Sequence, residues 1–274
     1  MKNVVIHPAL DTLSLYSGIG GLELGLAQAL RINVRAYIER EFSCVRILAQ
    51  RSEENRLDKG LIYSDVESFP VERYRDKISV IIGGFPCQPW SQANHTKNKG
   101  ETDSRNGWPQ VIRFIRTIRP DLVFLENVPN ILNHEYFGTI LGDLSQAGFN
   151  AEWGCFQGLD VGIPQHRERL FILGYANDKR LEGWGKFRFG SGERSTGQTS
   201  PELGDQKSVP PTRDNIEGWT QVWTEMPDLK PAICKLATGV PDRMGQLQMF
   251  GNAVIPAVAT FAFNQLADRI MDKK

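Results

Sequence analysis

The chain has 274 residues, 41% hydrophobic and 23% charged, with 32 basic and 32 acidic side chains. That fits a globular protein with one large domain and room for a small second one. No run of about 18 apolar residues exists, so nothing is expected to span a membrane, and the first residues lack the apolar core of a signal peptide. Cys44, Cys87, Cys155 and Cys234 are scattered without a CxxC pair. This argues against a zinc knuckle or a disulfide framework and for a reducing, cytoplasmic setting. Zero net charge does not exclude nucleic acid as a partner, which needs only a basic face. Residues 97–119 and 179–194 carry local basic excesses.

In chain order, 11–16 reads as a strand, and Ile19 to Leu30 as a helix with Leu22, Leu26 and Leu30 on one face. Val34 to Glu39 is a second strand and Phe42 to Gln50 a second helix. Short strands are expected at 61–63 and 80–82. Trp108 to Ile118 spaces Val111, Ile112, Ile115 and Ile118 for one buried face, and Pro120 ends it. A strongly apolar strand at 122–125, a helix over Phe137 to Gln146 and a late strand at 170–173 follow. Such alternation predicts an α/β fold with a mainly parallel sheet covered by helices on both faces. From 176 to 218 the chain is rich in Gly, Ser, Thr, Asp and Lys, with aromatic residues bracketing it. A last helix starts after Gly251-Asn252, with Val254, Val258, Phe261, Ala262 and Leu266 apolar.

The chemistry-bearing residues fall at strand ends. Gly83-Gly84-Phe85-Pro86-Cys87-Gln88 puts a thiol on a tight loop after a buried strand, where ligand sites of open α/β sheets gather. Tyr16-Ser17-Gly18-Ile19-Gly20-Gly21 joins the first strand to the first helix, a turn that lets a ligand approach the backbone. Glu23 breaks the GxGxxG dinucleotide fingerprint. Glu39 is spaced to accept from ribose hydroxyls, and Asp65 could accept from an adenine amine or cap a turn. Glu126 ends an apolar strand, where desolvation raises a carboxyl pKa. In Gln165-His166-Arg167-Glu168-Arg169, an extended backbone would aim residues 165, 167 and 169 one way. Two arginines there suit an anion, a carboxylate or a phosphate. Taken singly, each of these residues also fits a turn, a cap or a surface charge.

Together, in this order and with Gly251-Asn252-Ala253-Val254, the segments resemble the successive motifs of the DNA cytosine-5 methyltransferase family. The resemblance covers 11–174 and roughly 248–270. It implies a Rossmann-like catalytic domain over 1–175 and 249–274, a short target-recognition domain over 176–248, S-adenosylmethionine as cofactor, and no metal. It implies that Cys87 adds to cytosine C6 on a base flipped out of double-stranded DNA. Glu126 would bond N3 and the exocyclic amine, Arg169 would reach the O2 side and hold Glu126, and Arg167 would support the thiolate or nearby backbone. Tyr16, Gly18, Ile19, Gly20, Gly21, Glu39, Asp65, Gly84, Pro86, Trp108 and Asn252 would bind the cofactor. Trp108 stands where the family usually has an aliphatic residue, and 92–107 resembles its loop that closes over the base. Residues 235–248 hold no copy of the family's arginine–threonine–glutamate motif. A tRNA substrate, as in one branch of the family, is the alternative. A monomer is expected; restriction–modification, phage and orphan settings stay open.

Overall fold

The computed structural model describes residues 9–86, 106–177 and 253–272. Its strands are β1 (Leu10–Leu15), β2 (Ile32–Ile38), β3 (Leu61–Tyr63), β4 (Val80–Gly84), β5 (Leu122–Asn127), β6 (Phe149–Phe156) and β7 (Arg169–Ala176). Its α-helices are α1 (Gly21–Ala29), α2 (Phe42–Glu53), α3 (Trp108–Ile118), α4 (Tyr136–Gln146) and α5 (Pro256–Asp272). The strands form one sheet in the order β3-β2-β1-β4-β5-β7-β6. Neighbours from β3 through β5 are parallel, and β7 runs antiparallel to both β5 and β6.

The central strands are apolar on both faces because helices cover both. Leu13, Leu15, Ile81, Val123, Leu125, Leu170 and Ile172 feed one core, which α3 and α4 complete with Val111, Ile115, Ile118, Ile140 and Leu144. The alternate residues Val80, Ile82, Leu122, Phe124, Phe171 and Leu173 feed the opposite core, closed by α1 and α5. There Phe124 stacks on Phe171 at 5.5 Å and meets Phe263 edge-on at 5.4 Å, arrangements that aromatic quadrupoles favour.

Helix α5 reaches α1 through two glycines. A Cβ on Gly21 would lie 2.3 Å from the Val254 carbonyl oxygen, and one on Gly25 would lie 2.5 Å from that of Pro256. Thr260 Oγ1 donates to the Gly25 carbonyl at 2.8 Å. The backbones therefore touch with no side chain between them.

Helix α3 spans the predicted residues, and α2 runs three residues further than predicted, to Glu53. Strand β6 was not expected. Strand β7 ends at Ala176, and the expected recognition domain over 176–248 lies almost entirely outside the described residues.

Candidate active site

The C-terminal ends of β1, β2, β3, β4 and β5 share one edge of the sheet, and the antiparallel β7 begins there. At the β1 end the chain turns sharply: Tyr16, Gly18 and Gly20 have φ of 53°, 55° and 85°. A left-handed conformation is costly for a tyrosine and tolerated by glycine. Among the described residues nothing lies within 4 Å of where a Gly18 Cβ would point, so they leave this side of the turn open. Glu39, just past β2, fixes the turn: its Oε2 accepts from the Gly18 N–H at 2.7 Å and its Oε1 from the Glu41 N–H at 2.7 Å. Asp65, just past β3, accepts from the Glu67 and Ser68 N–H groups at 3.0 and 3.1 Å. The Ser68 side chain, followed by these backbone bonds, holds its carboxyl below the ordinary range. The turn-capping role is thus realised, and the exposed carboxylate keeps further lone pairs.

At the β4 and β5 ends, Gly84 pairs with Glu126. The chain leaves the sheet beside the Glu126 carboxyl, three residues before Cys87. A Cβ on Gly84 would sit 3.0 Å from Glu126 Oε2, so glycine lets the carboxyl stand close. Arg169 Nε lies 3.0 Å from Glu126 Oε1, with the side chains 22% and 12% exposed. Burial pushes the Glu126 carboxyl up, while the charges of Arg169 and Arg167 pull the other way. The Arg167 guanidinium donates to the Ala253 carbonyl; its Nε and second terminal nitrogen are buried without a partner among the described residues. Burial, then the Arg169 charge, lowers its pKa to about 10.

Two groups outside the expected set shape this edge. Asn127 Nδ2 donates to the Phe85 carbonyl at 3.2 Å, while its Oδ1 accepts from the Val128 N–H at 2.8 Å. It ties the chain before Cys87 to the strand bearing Glu126. The Gly107 N–H donates to the Pro86 carbonyl at 2.9 Å, so Pro86 and Gly107 stand side by side. The motif containing Asn127 was visible in sequence, but nothing local to it signals that a side-chain amide bonds a residue 42 positions earlier. The second group is Glu23, 1% exposed. Its carboxyl accepts from Ser14 Oγ, which lies 2.7 Å from Ser17 Oγ, and its Oε2 has no partner among the described residues. Burial raises its pKa to about 7. The departure from GxGxxG at position 23 was the available signal.

Several expectations need correction. Residues 165, 167 and 169 do not share a strand face: the chain turns, with Gln165 N–H bonded to the Ile163 carbonyl and Glu168 N–H to that of His166. Strand geometry begins only at Arg169. The two arginines nevertheless both act on Glu126, whereas Gln165 is exposed. Trp108 is 1% exposed, tilts on Phe85 at 5.5 Å and donates Nε1–H to Asp143 at 2.9 Å. It is a core side chain with almost no surface for a ligand. The basic excess on α3 is largely engaged internally: Arg113 donates to the Val66 carbonyl, Arg116 pairs with Asp143 and Arg119 with Asp76. Cys87, Asn252, Gly251 and the basic stretch 179–194 lie outside the described residues. Among the described residues no His, Cys, Asp and Glu group could hold a metal ion, and no helix is long and apolar enough to cross a membrane.

A mostly parallel seven-stranded sheet with a glycine turn after β1 and acids at successive strand ends defines the S-adenosylmethionine-dependent methyltransferase fold. The Schizosaccharomyces pombe Dnmt2 methyltransferase structure shares it at a TM-score of 0.56 and 16% identity, over 95% of this chain and 99% of that one. A Spodoptera frugiperda DNMT2 mutant shares it at 0.52 and 19%, over 63% and 51%. The family model for C-5 cytosine-specific DNA methylases matches residues 10–244, and the chain belongs to that family. The type II methyltransferase M.Bsp6I of Bacillus sp. (strain RFL6) is 30% identical over 66% of this chain and 56% of its own length. M.NgoMIV of Neisseria gonorrhoeae is 33% identical over 61% and 52%. The chain thus spans about half the length of the curated relatives it matches.

The residues present fit S-adenosylmethionine. Among the described residues, the turn at Gly18 is left open on one side, no side chain caps the N-terminal N–H groups of α1 at Gly21, and the Glu39 carboxylate stands beside that turn. Uncapped N–H groups suit a carboxylate and the acid suits ribose hydroxyls.

Proposed function

We propose that this chain transfers a methyl group from S-adenosylmethionine to C5 of cytosine in double-stranded DNA, with Cys87 as the nucleophile. The supporting observation is the register that sets Gly84 against Glu126, so that the chain departs toward Cys87 alongside an acid held by Arg169. A nucleophile and an acid on adjacent strand ends can grip opposite edges of one pyrimidine. The relatives' names, type II methyltransferases, favour DNA and a restriction–modification setting.

Cytosine C5 is a weak nucleophile. A Cys87 thiolate forming a bond to C6 pushes electrons toward N3, and Glu126, whose carboxyl burial pushes up in pKa, supplies the N3 proton as that charge develops. Arg169 steadies the carboxylate left behind and faces the O2 side. S-adenosylmethionine, when bound, would supply an electrophilic methyl group to C5 of the resulting enamine, its S–CH3 bond breaking to leave S-adenosylhomocysteine. Loss of the C5 proton to water, return of the N3 proton to Glu126 and expulsion of the Cys87 thiolate restore the aromatic ring and the acid. The base must leave the duplex, at a cost of a few kcal/mol. Glu39, Asp65, Tyr16 and the Gly18–Gly21 turn would hold the cofactor, with Gly84, Pro86 and Asn252 bordering it.

The test incubates the protein with labelled cofactor and either duplex DNA or tRNA, then digests to nucleosides. Labelled 5-methyldeoxycytidine is expected from DNA, together with a trapped adduct on DNA carrying 5-fluorocytosine. Cys87→Ser should abolish both and leave cofactor binding intact. Label in tRNA alone moves the substrate to RNA; cofactor binding with no label in either overturns the assignment.

A further inference from the structure

The segment 253–256 lies between two sites that the catalytic proposal treats separately. On one side the Arg167 guanidinium donates to the Ala253 carbonyl, a bond across 86 positions of sequence. On the other side the next carbonyl, that of Val254, presses on Gly21 so closely that a Cβ there would lie 2.3 Å from its oxygen. Gly21 opens α1 directly after the turn Ser17–Gly20, and Gly25, one helical turn on, meets the Pro256 carbonyl in the same way. The Ala253 carbonyl is the sole hydrogen-bond acceptor of Arg167 among the described residues. The place of that segment therefore helps decide where a half-buried positive charge stands relative to Glu126 and Arg169.

We infer that Arg167 is a positioning residue: through 253–256 it braces the cofactor turn, so that cofactor binding and the geometry of the Glu126–Arg169 pair are energetically coupled. This rests on the methyltransferase reading above. The physical basis is contact without slack. Backbone atoms meeting at van der Waals distance on one face, with a charge-assisted bond on the other, pass a displacement of a few tenths of an ångström across the segment. Linkage makes the effect reciprocal: whatever Arg167 does for the cofactor, the cofactor does for the placement of Arg167.

Coupling of this kind typically changes affinity 5- to 150-fold. We expect Arg167→Ala to weaken S-adenosylmethionine binding about tenfold by titration calorimetry with no DNA present. Arg169→Ala, which loses the Glu126 pair but not the Ala253 bond, should stay within about twofold. Arg167→Lys keeps a donor for the Ala253 carbonyl and should recover most of the affinity, a rescue that generalised loosening would not show. Gly21→Ala, which displaces the same segment from the other side, should weaken binding less than additively when combined with Arg167→Ala. In hydrogen exchange, cofactor should slow the amides of 257–260 in the wild type and not in Arg167→Ala. Should Arg167→Ala fail to fold by circular dichroism, Arg167→Gln and the Lys variant carry the same comparison. Wild-type affinity in the Ala or Gln variant, or full additivity with Gly21→Ala, overturns the coupling. A wild-type chain that binds no S-adenosylmethionine overturns this inference and the catalytic proposal together, whereas normal methylation with an Arg167-independent affinity overturns the coupling alone.

Discussion

Replacing Glu23 by glutamine should flatten the pH dependence of folding stability, because Glu23 is a buried acid that the fold holds in its protonated form. In the unfolded chain its carboxyl ionises near 4.5; in the folded chain burial moves this to about 7, with Glu39 pushing the same way and the Ser14 hydrogen bond and Arg51 opposing. The folded pKa is the higher one, so folding binds a proton. This contribution is fully present below about pH 4.5, declines as pH rises, and is gone above about pH 7. At 1.36 kcal/mol per pH unit the whole displacement amounts to about 3 kcal/mol, of which about 2 kcal/mol falls between pH 5 and pH 8. Glutamine keeps the shape and an acceptor for Ser14 but does not titrate, and its own amide penalty is the same at every pH. Urea unfolding of both proteins at pH 5, 6, 7 and 8 measures the difference. The wild type should lose about 2 kcal/mol relative to the variant over that range. A constant offset would refute the reasoning and mean that Glu23 ionises in the folded chain as readily as in the unfolded one.

Gly84→Ala places a methyl group 3.0 Å from Glu126 Oε2, and the carboxyl must yield by a few tenths of an ångström. We expect single-turnover methyl transfer to slow by up to about tenfold, less than the ~100-fold that a misplacement of about 1 Å can cost; an unchanged rate would separate Glu126 placement from catalysis. Gly25→Ala drives a methyl group into the Pro256 carbonyl and Ala259 and should cost about 1–3 kcal/mol in urea unfolding, with a smaller loss showing that α5 can shift. Trp108→Phe removes the bond to Asp143, which keeps Arg116. A loss of about 1 kcal/mol is expected with unchanged cofactor affinity by calorimetry, and a weaker affinity at equal stability would return Trp108 to the cofactor site.

What could be read from the sequence divides along physical lines. Strand β4 and helix α3 were legible because their signals are local: an unbroken β-branched run before two glycines, and four apolar residues at helical spacing ended by a proline. Strand β6 was not, because an edge strand needs no alternation. Its Trp153 is 40% exposed, and Gly154 and Asn150 interrupt the pattern. The antiparallel course of β7 depends on its hairpin with β6 and was lost with it. At the site, residue types at strand ends were visible, but their partners were not. Asn127 gripping Phe85, and Arg167 reaching Ala253, are contacts between segments distant in sequence. The reading of 165, 167 and 169 failed because it assumed an extended backbone where the chain in fact turns. The burial of Trp108 was hidden because its ring N–H finds Asp143 on another helix, letting a large polar-tipped side chain enter the core.

The glycine-lined contact between α1 and α5 has an architectural corollary. The chain quits the sheet at Asn177, whose N–H is held by the Gly148 carbonyl at 2.9 Å, and re-enters the same scaffold at Ala253 under the grip of Arg167. The two ends of the stretch between them are thus planted on one body. Closure entropy for such a stretch grows only logarithmically, by roughly 0.6 kcal/mol for each doubling of its length. Segments spliced in or exchanged between those two anchor points therefore cost the scaffold little, and the sheet can keep its register.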